Sequence, residues 1–495
     1  MSTKKIISHS SIYFLGTLFS VAVGFFFKVY IANIIGADLL GVFALGLTSI
    51  AIAGVFAGLG FDASLVRFVS KYVAAKEALS IERYVNNTLL VVLLVSCFLG
   101  LLFFLFSDFI AGSVLKEQGL AIYLPWFALL LVVGGIGTVA ERTIRGLQEV
   151  KKSSIITNFL RLPLKIGLCV GFIALGFGLK GYIWAETIAY LTSLALMFWL
   201  IKHLAVGWKI TPRFKLSFTS EERKYAFNML AINAVGLLQW HGDKILLVYF
   251  LSASDLGIYY IILSISTFVP TILVSVNSIF TPIISQLKTE KKMTELKEAF
   301  QNTARYVFVL SFPLVLFLCI YSSQILSYFG PEFVAGSSLL IMVVCGELIS
   351  LSFGSVGVML KMMGHERQMR NVTITSSIVS FGLYYFFISS MGFLGLGLAY
   401  VLGKLLINIL ASIVLFRKTS FIVLNKKYAI SIALFLTLSI AFYFISTMFA
   451  TTGTSIGTLL VMFVFCYLFF FITWRILIGK KDIAFLKAEF KSIKK

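Results

Sequence analysis

Acidic residues, histidine and proline are scarce in this sequence. Its 495 residues include 21 Asp and Glu against 42 Lys and Arg, with only 4 His and 7 Pro. Charged residues make up 13% of the chain and hydrophobic residues 59%, which excludes a soluble fold of this size. The gaps between hydrophobic runs are all too short to fold alone, so a separate soluble catalytic domain is also excluded.

Motifs for metal binding and nucleotide hydrolysis are missing as well. The five cysteines all fall within apolar runs, and no pair has metal-ligand spacing, so we interpret them as small hydrophobic residues. No Gly-rich loop ends in Lys-Ser or Lys-Thr, and no zinc motif or catalytic triad is visible. The sequence therefore predicts a protein that is not an enzyme, with no metal or organic cofactor and no direct use of ATP.

The dominant feature that is present is a series of fourteen long apolar runs. Each has roughly the 20 residues that a helix needs to cross the hydrocarbon core of a membrane. We predict an all-α polytopic membrane protein with 14 transmembrane helices. The runs cover residues 10–35, 39–61, 85–106, 120–141, 154–176, 182–202, 226–250, 256–285, 304–329, 337–360, 372–390, 394–416, 428–450 and 456–478.

Positive charges alternate across these spans. The N-tail, the even-numbered gaps and the C-tail, with the span ends beside them, hold 35 of the 42 Lys and Arg, whereas the odd-numbered gaps hold only Lys116 and Lys180. Positive charge marks the cytoplasmic side. We therefore predict a multi-pass protein of the cytoplasmic membrane with both termini inside. This pattern accounts for the net charge of +21, so anionic lipids rather than nucleic acid are the expected partners.

Short motifs recur at a nearly constant offset. Lys28 precedes Gly41 by thirteen residues, as Lys244 precedes Gly257, and this pair of motifs is offset by 216 residues. Two further matches have offsets of 214 and 218, and each repeat unit contains six spans. An even number of spans makes the repeats parallel, with a substrate site expected at their interface. The glycines that match are Gly41 with Gly257, Gly178 with Gly392, and Gly146 with Gly364.

This repeat divides the chain into four predicted regions. Residues 1–204 form an N-lobe of six spans, and residues 225–418 form a C-lobe of six spans. Residues 205–224, which include Pro212, form a cytoplasmic linker. Residues 419–495 form an appended pair of spans and a basic amphipathic C-tail.

Four segments resemble a known superfamily. They are residues 34–43 (IIGADLLGVF), 60–69 (GFDASLVRFV), 145–148 (RGLQ) and 256–259 (LGIY). The chain resembles the multidrug/oligosaccharidyl-lipid/polysaccharide (MOP) exporters, and within them the Wzx-type polysaccharide flippases. This resemblance implies a MATE-like fold and movement of undecaprenyl-linked saccharides from the inner to the outer leaflet. It also implies a lipid-linked oligosaccharide and membrane lipids as partners, with polysaccharide polymerase or assembly machinery as a further candidate.

Five cations lie inside the predicted spans. Each costs at least about 2.5–3.5 kcal/mol at the membrane centre, so each needs a reason to be there. One reason is a polar cavity that binds substrate, and the alternative is a side chain that reaches back to the headgroups. Arg161 and Lys165 are four residues apart and should share a helix face. The candidate cavity cations are Lys28, Arg161, Lys165, Lys244 and Lys404.

Three acids lie inside the spans, namely Glu186, Asp243 and Glu347. They are candidates for H⁺ or Na⁺ coupling, and the alternative for Glu347 is a partner for a basic residue of another helix. Asp243 and Lys244 are neighbours on one helix and do not face each other, so we do not require them to pair.

Three arginines near the cytoplasmic ends of spans two and four are candidates for the first contact with a lipid pyrophosphate. They are Arg67, Arg142 and Arg145. The alternative is that they serve only the positive-inside pattern.

The sign of the interior charge separates the candidate functions. Five cations against three acids favour an anionic lipid-linked oligosaccharide, carried for cell-surface polysaccharide biosynthesis. A multidrug or cation antiporter of the same fold would need an excess of acids, and it is the alternative. A glycosyltransferase or polymerase is the third candidate, and the long outer loops that it would need are absent from the sequence.

Overall fold

The computed structural model describes residues 3–204, 216–449 and 456–477. Within these residues all regular secondary structure is helical, which confirms the predicted all-α class. The first part of the predicted linker, 205–215, and the C-tail from residue 478 lie outside the described residues.

The chain forms two compact units, Met1–Ile261 and Ile262–Lys495. The predicted seventh span and the start of the eighth belong to the first unit. The lobe boundaries at residues 204 and 225 stay a prediction. The helices of the first unit are α1 (Thr3–Gly58), α2 (Phe61–Ala74), α3 (Ala78–Leu105), α4 (Leu124–Gly146), α5 (Val150–Ala174), α6 (Gly178–Leu204) and α7 (Ser220–Phe250), followed by α8 (Ala253–Ser266), which contains the boundary.

The second unit continues with α9 (Phe268–Thr289), α10 (Met293–Ile320), α11 (Ser337–Ser352), α12 (Val356–Met362), α13 (Glu366–Thr419), α14 (Lys426–Phe449) and α15 (Ile456–Leu477). Its core between α10, α14 and α15 is aromatic. Phe312 packs against Phe435 and Phe470 with ring centroids 5.4 and 5.6 Å away. The appended helix pair is thereby fixed to the rest of the unit.

Eleven helical segments of the described chain are long and apolar enough to cross a membrane. Two of them, Phe19–Gly58 and Glu366–Thr419, hold two predicted spans each, because Gly36 and Gly392 break the helix between the spans. Helix α7 is not among the eleven. It has 31 residues, enough to cross, but it carries many polar side chains. With α7 these segments account for the fourteen predicted crossings.

Two glycines at equivalent repeat positions both have a positive φ of similar size. Gly178 has φ 51° where α6 begins, and Gly392 has φ 58° at the break inside α13. These left-handed values are costly for any residue with a Cβ atom, which explains glycine at both sites. The repeat is therefore visible in local geometry as well as in sequence.

A buried cluster joins α2, α3 and α4 in the first unit. Leu65, Phe68, Tyr84 and Val139 are fully buried in it. Phe218, just before α7, packs against the same cluster, and its ring stacks on Phe61 at 4.1 Å. Packing of this segment holds the N-terminus of α7 against α2 and α3.

Candidate functional site

Every acid that the sequence placed inside the spans contacts a lysine. Glu186 pairs with Lys165, and Asp243 Oδ1 lies 3.1 Å from Lys244 Nζ. Glu347 Oε1 lies 2.8 Å from Lys404 Nζ. Burial of a carboxylate in an apolar surrounding is costly unless a positive charge or hydrogen-bond donors accompany it, and these lysines supply both.

Arg161 and Lys165 face α6 together, as their spacing predicts. Lys165 reaches Glu186, and the Arg161 guanidinium lies 4.3 Å from the Tyr190 ring centroid. The turn that ends at Arg161 is a π-helix, Ile155–Arg161. Pro163 follows it and cannot donate a backbone hydrogen bond, so the ladder is interrupted here and the turn widens.

Lys28 belongs to the same region of the first unit. Its Nζ lies 4.8 Å from the Tyr260 ring centroid, and it is within electrostatic range of Lys165. Lys165 Nζ in turn lies 5.1 Å from the ring of Tyr182. We call Lys28, Arg161, Lys165 and Glu186 the N-unit cluster. It has three cations and one acid, so it carries a net positive charge among aromatic rings.

Asp243 and Lys244 do pair, although their adjacency on one helix did not require it. Lys244 Nζ bends back to donate to the Trp240 carbonyl at 2.8 Å and to Asp243 Oδ1. The Tyr259 hydroxyl donates to Asp243 Oδ2 at 2.7 Å. The lysine side chain is long enough to fold back along its own helix. The rule that adjacent residues point to different helix faces does not take this length into account.

Lys404 belongs to α13 of the second unit, and its side chain reaches Glu347 on α11. Besides its contact with Glu347, its Nζ lies 5.2 Å from the Tyr400 ring, and the Tyr400 hydroxyl donates to Glu347. Glu347 is buried and the Lys404 side chain is one-third exposed. Of the two readings of Glu347, the geometry matches a partner for a basic residue of another helix.

The three arginines predicted to meet a pyrophosphate all contact acids. Arg142 lies 3.6 Å from Asp62, and Arg145 lies 2.6 Å from Glu141. Arg67 lies 3.8 Å from Glu221, which also accepts a hydrogen bond from Lys71 at 2.7 Å.

The sequence analysis missed a polar cluster beside Arg67. Glu222 is fully buried and accepts hydrogen bonds from the Tyr72 hydroxyl at 2.5 Å and from Arg83 at 2.9 Å. It also forms a capping box with Thr219 at the start of α7. The Thr-x-x-Glu spacing was the available sequence signal. No sequence pattern of this kind marked Tyr182, Tyr190 and Tyr260, whose rings lie near the cations of the N-unit cluster.

No group of three or more His, Cys, Asp and Glu that could hold a metal ion occurs among the described residues. Cys319 and Cys345 come close, with their Sγ atoms 3.8 Å apart, and both are free thiols.

Solved structures of low sequence identity share this fold. A lipid II flippase, MurJ, in an inward closed conformation matches with a TM-score of 0.72 and 17% identity, over 94% of this chain and 99% of that one. An inward-facing multidrug resistance MATE transporter of the MOP superfamily matches with a TM-score of 0.68 and 16% identity, over 84% and 98%. A MOP superfamily transporter from Pyrococcus furiosus, described by the reverse polarity of its binding pocket, matches with a TM-score of 0.58 and 17% identity, over 84% and 95%.

The fold is therefore that of the MOP superfamily, as the four sequence segments indicated. The family model described as "Polysaccharide biosynthesis protein" matches residues 30–338, more than half of the chain. The chain belongs to this family, and its recognition as a MOP-type membrane transporter of the polysaccharide branch is confirmed. A search of curated proteins found no match.

Proposed function

We propose that the protein is a flippase for an anionic lipid-linked oligosaccharide of the undecaprenyl pyrophosphate type. It moves this substrate from the inner to the outer leaflet of the cytoplasmic membrane by alternating access, for the assembly of a surface polysaccharide. Both termini and the 205–224 linker face the cytoplasm in this proposal. The lipid-linked saccharide and membrane lipids are its partners, with a polymerase or assembly complex downstream.

The observation that carries the proposal is the charge of the N-unit cluster. The cluster holds three cations, Lys28, Arg161 and Lys165, and one acid, Glu186, which pairs with Lys165, and each of the three cations lies near an aromatic ring. A pyrophosphate brings at least two negative charges, and a lysine or arginine in a partly buried site binds it more strongly than in water. An excess of positive charge in a membrane-embedded region is costly until such an anion arrives.

A carrier of cations fits the same region poorly. Its carboxylates would have to be accessible to the cargo, yet Glu186, Asp243 and Glu347 each contact a lysine. A cation approaching any of them would meet a positive charge first. The antiporter alternative would therefore need all three pairs to break.

The same pairs suggest how transport is driven. When a pyrophosphate takes the place of Glu186 beside Lys165, the carboxylate is left in a mostly apolar surrounding. A carboxylate in that position favours uptake of H⁺ or Na⁺. We propose that Glu186 is the coupling residue and that Asp243 and Glu347 hold their lysines in position.

The test is transport of a labelled undecaprenyl pyrophosphate saccharide in proteoliposomes, with accessibility to an external modifying enzyme as the readout. Lys28→Ala and Lys165→Gln should each lower the initial rate at least about tenfold, since each removes an interaction of about 1.4 kcal/mol or more with the anion. Lys180→Ala, which removes an exposed lysine at the start of α6, is the matched control and should leave the rate unchanged.

Equal rates in the parent protein and in both cluster variants would reject the N-unit cluster as the substrate site. Transport of organic cations in place of the saccharide would reject the flippase and support the antiporter.

A further inference from the structure

A set of basic and hydroxyl side chains surrounds the N-terminus of α7. We call it the cradle, and it consists of Arg67, Lys71 and Tyr72 on α2 and Arg83 on α3. Two consecutive carboxylates of α7, Glu221 and Glu222, occupy it. The positive-inside pattern predicts that this end of the protein faces the cytoplasm.

The inner half of the cradle holds Glu222. Its Oε1 atom accepts from the Tyr72 hydroxyl at 2.5 Å and from Arg83 at 2.9 Å, while Oε2 accepts from the Thr219 backbone N–H at 2.6 Å. Burial and the hydrogen bond to Glu222 raise the pKa of Tyr72, so its hydroxyl remains a donor at physiological pH. These are the donors that a phosphoryl oxygen would use equally well.

The outer half of the cradle holds Glu221 in contact with solvent. Lys71 donates to Glu221 at 2.7 Å, and Arg67 lies 3.8 Å from it and 4.3 Å from the ring of Tyr225. The hydrogen bond from Lys71 lowers the pKa of Glu221, so the carboxylate is charged at neutral pH. The side chains of Arg67, Lys71 and Glu221 are each about half exposed, so an anion from solvent can compete with Glu221 for the two cations.

The cradle has more binding capacity than its two carboxylates use. Its three cations face two acids, and the Nε–H of Arg83 is buried without a hydrogen-bond partner among the described residues. A guanidinium binds best when two of its N–H groups meet two oxygens of one anion. A phosphoryl group offers three oxygens, whereas Glu222 offers two and one of these accepts from the Thr219 backbone N–H, so a phosphoryl group fits this spare capacity.

The segment before α7 is attached independently of the carboxylates. Asn87 donates to the Ser217 carbonyl at 2.7 Å, and Phe218 stacks on Phe61. The two glutamates can therefore leave the cradle by movement of the first turn of α7 alone. This turn belongs to the same helix as Asp243 and Lys244.

We propose that the cradle is a binding site for the phosphoryl headgroup of the substrate, and that Glu221 and Glu222 are internal ligands that occupy it until the headgroup displaces them. The inference rests on the proposed function, because it takes the arriving anion to be a lipid pyrophosphate. To bind in the cradle, a lipid headgroup must then displace the two glutamates, which a neutral or cationic headgroup cannot do. The site thus selects anionic headgroups before they reach the N-unit cluster.

The test is pyrophosphate binding to the full-length protein in detergent, measured by calorimetry. Glu221→Gln/Glu222→Gln removes both negative charges but preserves the capping box, since Gln at this position accepts and donates as the motif requires. The apparent affinity of the parent is reduced because the glutamates leave only a small fraction of the sites open. Removing this internal competitor should therefore raise the apparent affinity for pyrophosphate at least about tenfold. Arg83→Gln in the same background should abolish the gain. Glu290→Gln, at an exposed turn of the second unit, is the control.

Two further measurements distinguish binding of a lipid headgroup from binding of free pyrophosphate. Nanodiscs with undecaprenyl pyrophosphate should bind the double variant more tightly than the parent, and nanodiscs with undecaprenol should bind both alike. Unchanged pyrophosphate affinity in the double variant, with lowered thermal stability, would show that the cradle is only a structural clamp. The single variant Glu221→Gln, altered at an exposed side chain, keeps the test valid if the double variant does not fold.

The outcome is distinct from that of the proposed function. Tighter pyrophosphate binding without saccharide transport would leave the cradle intact and reject the flippase. Saccharide transport with unchanged binding in the double variant would leave the flippase intact and reject the cradle.

Discussion

Gly41 of α1 and Gly257 of α8 lie against each other's helices in a reciprocal contact. A Cβ atom on Gly41 would lie 1.7 Å from the Ala253 carbonyl oxygen, and one on Gly257 would lie 1.8 Å from the Ala37 carbonyl oxygen. The offset between Ala37 and Ala253 equals that between Gly41 and Gly257. Such reciprocity is the mark of a two-fold contact, here between two repeats of one chain.

The first prediction concerns this crossing. Gly41→Ala and Gly257→Ala should each destabilise the protein by about 1–3 kcal/mol, because the backbones must separate to admit the methyl group. Gly24→Ala is the control, since no heavy atom lies within 4 Å of its added Cβ. Thermal unfolding in detergent is the measurement. Equal melting temperatures for Gly41→Ala and Gly24→Ala would contradict the close approach.

The second prediction concerns the buried pair of the second unit. Lys404→Ala should lower stability by roughly 1–3 kcal/mol, because it leaves the buried Glu347 without its cation. Adding Glu347→Gln should restore much of the loss, since a neutral amide still accepts from Tyr400. Thermal stability of the single and double variants checks this. If the double variant is the least stable of the three, the pair is not the reason for the loss.

The third prediction separates structure from transport at the N-unit cluster. Exchanging the pair as Lys165→Glu/Glu186→Lys should keep the contact between α5 and α6 and most of the stability. Transport of the lipid-linked saccharide should still fall at least about tenfold, because the cation no longer projects from α5 beside Arg161. Matched expression and stability with full transport would mean that only the presence of the pair matters.

The fourth prediction compares two lysines at equivalent repeat positions. Lys244 is held by Asp243 and the Trp240 carbonyl, whereas Lys28 lies over Tyr260 near Lys165. We expect Lys28→Ala to reduce transport several-fold more than Lys244→Ala. The double variant should lose less than the product of the single losses if both lysines share one anion. A larger effect of Lys244→Ala would reverse the assignment.

The fifth prediction concerns orientation. In a background without native cysteines, Lys180→Cys should react with a membrane-impermeant thiol reagent applied to intact cells. Thr294→Cys, on an exposed site near the start of α10, should react only after the membrane is permeabilised. Labelling of Thr294→Cys in intact cells would reject the topology and the predicted cytoplasmic position of the cradle.

Much of the fold follows from the sequence because membrane helices satisfy their backbone hydrogen bonds locally. The apolar runs therefore mark the spans, and Gly36 and Gly392 mark the breaks within two long helices. Helix α7 is the exception in hydropathy, because its polar side chains bind partners inside the first unit. The recurring motifs around Gly41 and Gly257 also proved to be in contact.

The sequence by itself determined the helical class, the number of spans and the excess of interior positive charge, since each depends on residue type and local spacing. Only the tertiary structure decided which side chains meet. Lys165 with Glu186, Lys404 with Glu347, Lys28 with Tyr260 and Glu222 with Arg83 lie on different helices. Their pairing depends on how the helices rotate and pack, and no local periodicity encodes it. The adjacent pair Asp243–Lys244 required the structure as well, because a lysine side chain can turn back along its own helix.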